Sequence, residues 1–347
     1  MAHELTQQKS GKYEFAYIQR DGVAWHGLGQ ALPAAATPEE ILEAAGLKWQ
    51  VLRSPIYIAD DRQVGLGAPI TYEPIAGSVA NVRSDTREVL GIVSDNYKTF
   101  QNGDGLRFMG TVVGEADGAI FHTAGSIRQG RKVFACARLP EHLYATPEDV
   151  IDQYLLLVNN HDGDGGLHLR WTTVRVVCAN TLTAALAGAP RYEFSIRHVG
   201  DLDNAVETAR KALGVGRRYF AAAGVIYQAL SARQLSGAEF GGFLDHFMPI
   251  PVVDAVSSEG AVRERDRALA APQAIAVLYD QGLGTELPGV RGTAWGAVNA
   301  AVEWAERVRP ARQDGDARKG AGEVTTFGWA GQELRDRAFA AGQALLS

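Results

Sequence analysis

Two acid-free stretches rich in cations, and a glycine-rich loop of His and Asp between them, hold the residue types and spacings that could do chemistry. Residues 118–140 contain Arg128, Arg131, Lys132 and Arg138 and no Asp or Glu, and residues 165–192 contain Arg170, Arg175 and Arg191, again with no acid. A guanidinium offers a planar fork of donors that matches a phosphate. With His168 and Trp171 beside Arg170, these cations suit phosphates plus stacked bases, the combination used to hold single strands. The candidate nucleic-acid-binding set is therefore Arg128, Arg131, Lys132, His168, Arg170, Trp171 and Arg175. The competing reading is structural: solvated hairpin tips, Arg170 paired with Asp162 or Asp164, and Trp171 in the core.

The loop HDGDGG at 161–166 admits three chemistries. His161, Asp162 and Asp164, joined by His168, are N and O donors of the kind that hold a divalent metal. The loop lacks the later ligands and terminal Glu of a calcium-binding loop. Its successive glycine amides could instead form an anion nest. The plainest reading is a tight loop whose Asp side chains accept turn amides. The chain has no GxSxG, no phosphate-binding Walker loop and no HExxH, and the glycines of LGVGR at 213–217 fall in a helical pattern with no strand before them. No catalytic residue is assigned. The expectation is a binding protein rather than an enzyme, with no cofactor unless that loop takes a divalent metal.

These residues need β-hairpins to position them. Residues 154–158 are a short apolar run bounded by turn signals, and 167–178 resume with Leu, Trp, Thr and Val, so the loop joins two antiparallel strands. Alternation puts His168, Arg170 and Thr172 on one face and Leu169 and Trp171 on the other. A short helix capped at Asn180 or Thr181 follows. Residues 119–137 form a second hairpin, turning at 128–130. Thr37, Pro38, Glu39 and Glu40 announce a helix that Gly46 stops. Residues 89–93 read as a strand, and Asn102 as the cap of a helix to Val113. In AWHGLG at 24–29, His26 reads as a core-side histidine before a glycine turn.

After Arg197 the period becomes helical, over 203–230, from Ser236 to Phe247 with capping-box spacing to Glu239, over 261–279 with a break expected at Pro272, and over 293–308 and 329–346. Residues 310–323 read as a loop. The whole is α+β: an antiparallel sheet of β-hairpins backed by a helix, with a helical C-terminal part. The segments are 1–75, an N-terminal extension with one helix and strands; 76–200, the antiparallel core; and 201–347, the helical region.

The 347 residues suffice for two or three domains, and 46% hydrophobic with 21% charged is ordinary globular composition. The formal charge of −6 excludes a uniformly basic nucleic-acid binder but not a local basic face. No apolar run reaches the roughly 20 residues of a membrane span. The start MAHELTQQKSGKYEF has no signal-peptide core, so a cytoplasmic location is expected. Cys136 and Cys178, without CxxC spacing, read as reduced core residues.

AWHGLG, VLGIVSDNYKTFQN, LLLVNNHDGDGGLHLRWTTVRVVCANTLTAAL, SIRHVGDLD and LPGVRGTAWGAVNA together resemble the phage/plasmid-like protein family, domain of unknown function 932, in its actinobacterial phage and plasmid branch. The likeness spans roughly residues 10–346 and carries no assigned catalytic residue. It implies a setting on mobile DNA, beside replication or recombination. The expected function is a DNA-metabolism accessory protein that binds single-stranded DNA, anneals strands and works as a homo-oligomer, by analogy with the sheets of annealing recombinases. The alternatives are a metal-dependent enzyme on nucleic acid or nucleotides at 161–164, and a non-catalytic assembly or host-interaction protein.

Overall fold

The computed structural model describes residues 4–19, 26–33, 36–60, 70–113, 120–173, 193–196, 205–250, 259–308 and 329–346. Its elements are β1 (Phe15–Ile18), β2 (Gln30–Leu32), α1 (Pro38–Ala44), β3 (Val51–Asp60), β4 (Thr71–Arg83), β5 (Val89–Ser94), α2 (Asn102–Val113), β6 (Ile120–Ile127), β7 (Lys132–Tyr144), β8 (Val150–Asn160), β9 (Leu167–Thr172) and β10 (Glu193–Ile196). The helices α3 (Ala205–Ala232), α4 (Gly237–Phe247), α5 (Glu259–Gln281), α6 (Ala294–Glu303) and α7 (Trp329–Ala344) follow. The fold is α+β with a helical C-terminal part, as the change of hydrophobic period indicates. Arg175, Arg191, Cys178, the helix expected after residue 180 and the loop at 310–323 lie outside the described residues.

The chain divides into two units. The first comprises Met1–Glu141, Asp152–Ala185 and Pro190–Arg217; the second comprises His142–Ile151, Leu186–Ala189 and Arg218–Ser347. Unit 1 is built on a seven-stranded sheet in the order β10-β9-β8-β7-β6-β1-β2 and a three-stranded sheet β3-β4-β5. Strands β10, β9 and β8 pair antiparallel in turn, as do β7 with β6 and β6 with β1, whereas β1 pairs β2 parallel. Helix α2 covers one face of it. Gly105 lies against Leu157 and Leu167, and the Phe108 ring sits 5.9 Å from Phe194. Thr37 caps α1 in a full capping box with Glu40, and Pro38 opens the helix. Asn102 does not play the capping part its position suggests. Its side chain turns inward, donating to the Leu47 carbonyl at 3.0 Å and accepting from His161.

Unit 2 buries Phe243, Phe247, Ile275, Trp295, Val298, Trp304 and Leu334 in one apolar cluster. Gly296 is required there, because a Cβ would stand 2.1 Å from the Val290 carbonyl oxygen. Helix α5 runs unbroken through Pro272, where a break was expected.

Ser236 caps α4 with the predicted capping box: its hydroxyl accepts the Glu239 amide while the Glu239 carboxylate accepts the Ser236 amide at 2.8 Å. The Ser236 amide foremost, then the Ser236 hydroxyl and Arg233, hold the Glu239 carboxyl at about 2, well below the usual 4.5. The folded value lies below the unfolded one, so this cap contributes fully above pH 4.5 and is lost as pH falls toward 2. Protection of the first-turn amides of α4, exchange being taken relative to the unstructured rate at each pH, is expected to fall over that window. Glu239→Gln should abolish the transition. Protection that stays constant across the window in the wild-type protein would refute the assignment.

Candidate nucleic-acid interface

Strands β6 and β7 meet in a turn at Arg128–Gly130 that the sequence places correctly but whose conformation it does not disclose. Arg128, Gln129 and Gly130 are all left-handed, with φ of 53°, 62° and 91°. For the two residues with a side chain this costs roughly 1–2 kcal/mol each, and such strain persists only where the surroundings over-determine it. They do so here. The Arg128 amide donates to the Glu4 carbonyl at 3.1 Å, the Gly130 amide to the Thr6 hydroxyl at 3.1 Å, and the Arg83 guanidinium to the Gln129 carbonyl at 3.3 Å. On the far side the His161 amide donates to the Arg131 carbonyl at 2.8 Å, joining the tip to the 161–166 loop. Gly130 could not be another residue without cost: a Cβ would sit 2.9 Å from both Arg83 and Trp49.

A buried polar layer lies beneath the tip. Arg83 (1% exposed) forms a two-pronged pair with fully buried Glu14, at 2.6 and 3.2 Å, and reaches half-exposed Asp85 at 2.9 Å. Burial works against the Arg83 charge, but hydrogen bonds to Asp85 and Glu14 outweigh it and raise its pKa. Asp85 moves down because its bonds to Arg83 overcome its own partial burial. The Arg83 guanidinium stacks over Trp49, 4.1 Å from the ring centre, and Trp49 meets His161 edge-on at 5.6 Å. His161 Nε2 lies 2.8 Å from Asn102 Oδ1. Since Asn102 Nδ2 donates to Leu47, Oδ1 accepts and His161 carries its proton on Nε2. Asn81 donates to the His161 carbonyl at 2.9 Å and Tyr97 to the Asn160 carbonyl at 2.7 Å. Burial, with the nearby Asp162 charge, pushes the Tyr97 phenol up, so it stays a neutral donor.

Arg128, Arg131, Lys132 and His168 gather at this one end of the large sheet. Their charge is not segregated from acid as the sequence segments suggest. Arg128 bonds Glu4 at 2.7 Å, an interaction that raises its pKa, and Lys132 lies 3.9 and 3.7 Å from Asp162 and Asp164. Arg131 is exposed, and no ion pair to it occurs among the described residues. Arg170 is half-buried two residues further along β9, on the His168 face. Trp171 is 9% exposed and shares the α2-covered face with Leu167 and Leu169, so base stacking is not open to it.

The four metal candidates do not converge. His161 points inward to Asn102, Asp162 Oδ1 accepts the Asp164 amide at 3.0 Å, and His168 Nε2 accepts the Gly166 amide at 3.2 Å. Among the described residues no three His, Cys, Asp or Glu side chains form a group able to hold a metal. The loop is the Asx-type turn that its composition suggests. His26 is likewise structural, edge-on to Phe15 at 5.3 Å and accepting the Leu28 amide.

Sequence reading missed Glu14, Arg83, Trp49, Tyr97 and Asn102. Glu14 and Arg83 are 69 positions apart, and nothing local signals their union. The weak signal available was an arginine closing the apolar alternation of SVANVR.

No curated protein and no solved structure matches the chain. No helix among the described residues is long and apolar enough to cross a membrane. The model of the family described as Domain of unknown function (DUF932) matches residues 89–322, from β5 into unit 2 and so including the β6–β7 tip and the 161–166 loop, and since that is more than half of the sequence the chain belongs to this family.

Proposed function

We propose that this chain is a DNA-metabolism accessory protein of a phage or plasmid. In this reading it binds single-stranded DNA in the cytoplasm, works as a homo-oligomer and supports strand annealing. The observation that carries the reading is the strained, tied-down tip at Arg128–Gly130, which holds a cluster of cations rigidly at one end of a large sheet. Strain of this kind marks sites whose geometry is retained for use. Rigid cations lose little freedom on meeting a phosphate backbone. The Arg128–Glu4 pair is about half-exposed on both sides, so it is worth at most about 1 kcal/mol and yields to a phosphate. His168 and Arg170 extend the track along β9. Trp171 is left out because it is buried.

Fluorescence anisotropy of the full chain with a labelled oligothymidylate, titrated at several salt concentrations, tests this reading. Affinity should fall steeply with salt, with a log–log slope near −0.7 per phosphate contacted. Arg128→Ala combined with Arg131→Ala should weaken binding about tenfold and flatten the slope by about 1–2. Glu4→Gln should tighten binding, because it releases Arg128. Absence of binding at low salt, or the same affinity in all three proteins, would end the proposal.

A further inference from the structure

The loop at 161–166 is not a metal centre among the described residues, but it carries two Asp–Gly pairs in succession, Asp162–Gly163 and Asp164–Gly165. An aspartate followed by glycine can close on itself. The glycine amide nitrogen bonds to the aspartate Cγ, a carboxyl oxygen leaves as water, taking the carboxyl and amide protons, and a five-membered succinimide results. Water then opens the ring at either carbonyl. Opening at the former peptide carbonyl routes the main chain through the side chain and gives isoaspartate. One water leaves and one returns, so no other reactant is required. The step needs a carboxyl free to turn onto the next amide, and an amide not already committed to an acceptor. Glycine favours it because no side chain obstructs the approach.

These two requirements separate the pairs that the described residues contain. Asn102 precedes Gly103, but it is buried, and the Leu47 carbonyl and His161 hold its side chain. Asp104 precedes Gly105 inside α2, where the Gly105 amide donates to the Gln101 carbonyl at 3.0 Å and Arg107 holds the carboxylate. The Asp162 side chain is 17% exposed and its Oδ1 accepts the Asp164 amide at 3.0 Å, a bond it must give up before it can reach Gly163. The Asp164 side chain is 90% exposed, and the Gly165 amide meets no acceptor among the described residues. Lys132 lies 3.7 Å from Asp164 and 3.9 Å from Asp162, so it does not tell the two apart. Asp21, Asp117 and Asp314 also precede glycine and lie outside the described residues. We propose that Asp164 is a site of spontaneous isomerisation, selected over Asp162, Asp104 and Asn102 by the fold rather than by the dipeptide. The product keeps its negative charge and adds one carbon to the main chain. It does so in a loop that the His161–Arg131 link and the Asn160 bond to the Gly166 carbonyl hold in place. The inference is independent of the nucleic-acid reading.

The test is to age the full chain for several weeks at neutral pH and physiological temperature. Peptide mapping with electron-transfer fragmentation, which tells isoaspartate from aspartate, then reads each site. A synthetic peptide spanning residues 156–170 is aged alongside, since it holds both Asp–Gly pairs without the fold. The ratio of isoaspartate at Asp164 to that at Asp162 should be about tenfold higher in the folded chain than in the peptide, the factor set by the hydrogen bond that Asp162 must give up. Asp104 and Asn102 should stay unmodified in the folded chain. Asp164→Glu should remove the signal at that position, because glutamate would have to close a less favourable six-membered ring. That side chain is exposed, so far-ultraviolet circular dichroism should not change. An unmodified Asp164, or the same ratio in chain and peptide, overturns the inference.

Discussion

Replacing Arg83 with methionine is expected to cost unit 1 about 3–5 kcal/mol, the usual penalty for stranding one partner of a buried ion pair. Glu14 is fully buried, and among the described residues its carboxylate keeps only the Ser126 hydroxyl once the guanidinium is gone. The substitution also removes the cation over Trp49 and the bond to the Gln129 carbonyl. Loss should therefore reach the left-handed tip itself. Urea denaturation gives the magnitude, and hydrogen exchange shows the place: amides of β1, β6 and 128–131 should lose protection while those of α6 keep it. The double variant Glu14→Gln with Arg83→Met should lose less than the two single variants added together, because the stranded charge is gone. A single-variant loss below about 1 kcal/mol would show that the pair is solvated and the layer unimportant.

Gly91→Ala should be the other severe change. A Cβ at this β5 position would stand 2.4 Å from the carbonyl oxygen of Asp162 and 2.6 Å from its Cα. Those are backbone atoms, which cannot swing aside as a side chain would, so the 161–166 loop must move off β5. The cost is about 1–3 kcal/mol, as for other overpacked sites. The functional consequence is directional. Shifting Asp162 releases Lys132 from its carboxylate neighbours and loosens the His161–Arg131 link, so salt-dependent DNA binding should change even though no cation is altered. Gly163→Ala is a weaker control, since its nearest neighbour is a Val93 methyl at 3.1 Å, although its own left-handed φ adds strain. Equal stability of Gly91→Ala and wild type would mean that loop and strand are not packed as described.

The local elements were legible because their causes are local. Thr37 with Glu40 and Ser236 with Glu239 carry their caps within four residues, and turn chemistry marks Arg128–Gly130 and the HDGDGG loop. The change from period 2 to period 3.6 near residue 200 gave the α+β division. The reading of Pro272 failed for a physical reason: proline disfavours a helix locally, and packing of the neighbouring residues Ala271 and Ile275 overrides it.

Charge was where the one-dimensional reading ran out. Counting acids along a segment says nothing about acids that folding delivers to it, and Glu4, Asp162 and Asp164 reach the cationic tip from other parts of the chain. The same holds for the Glu14–Arg83 pair and for Trp171, whose burial depends on α2 crossing its face. Sequence by itself determined which stretches become strands, helices and turns, because backbone propensity and side-chain period act over a few residues. Only the tertiary structure decided which charges are exposed and which are buried, because burial and ion pairing are settled by residues distant in the chain.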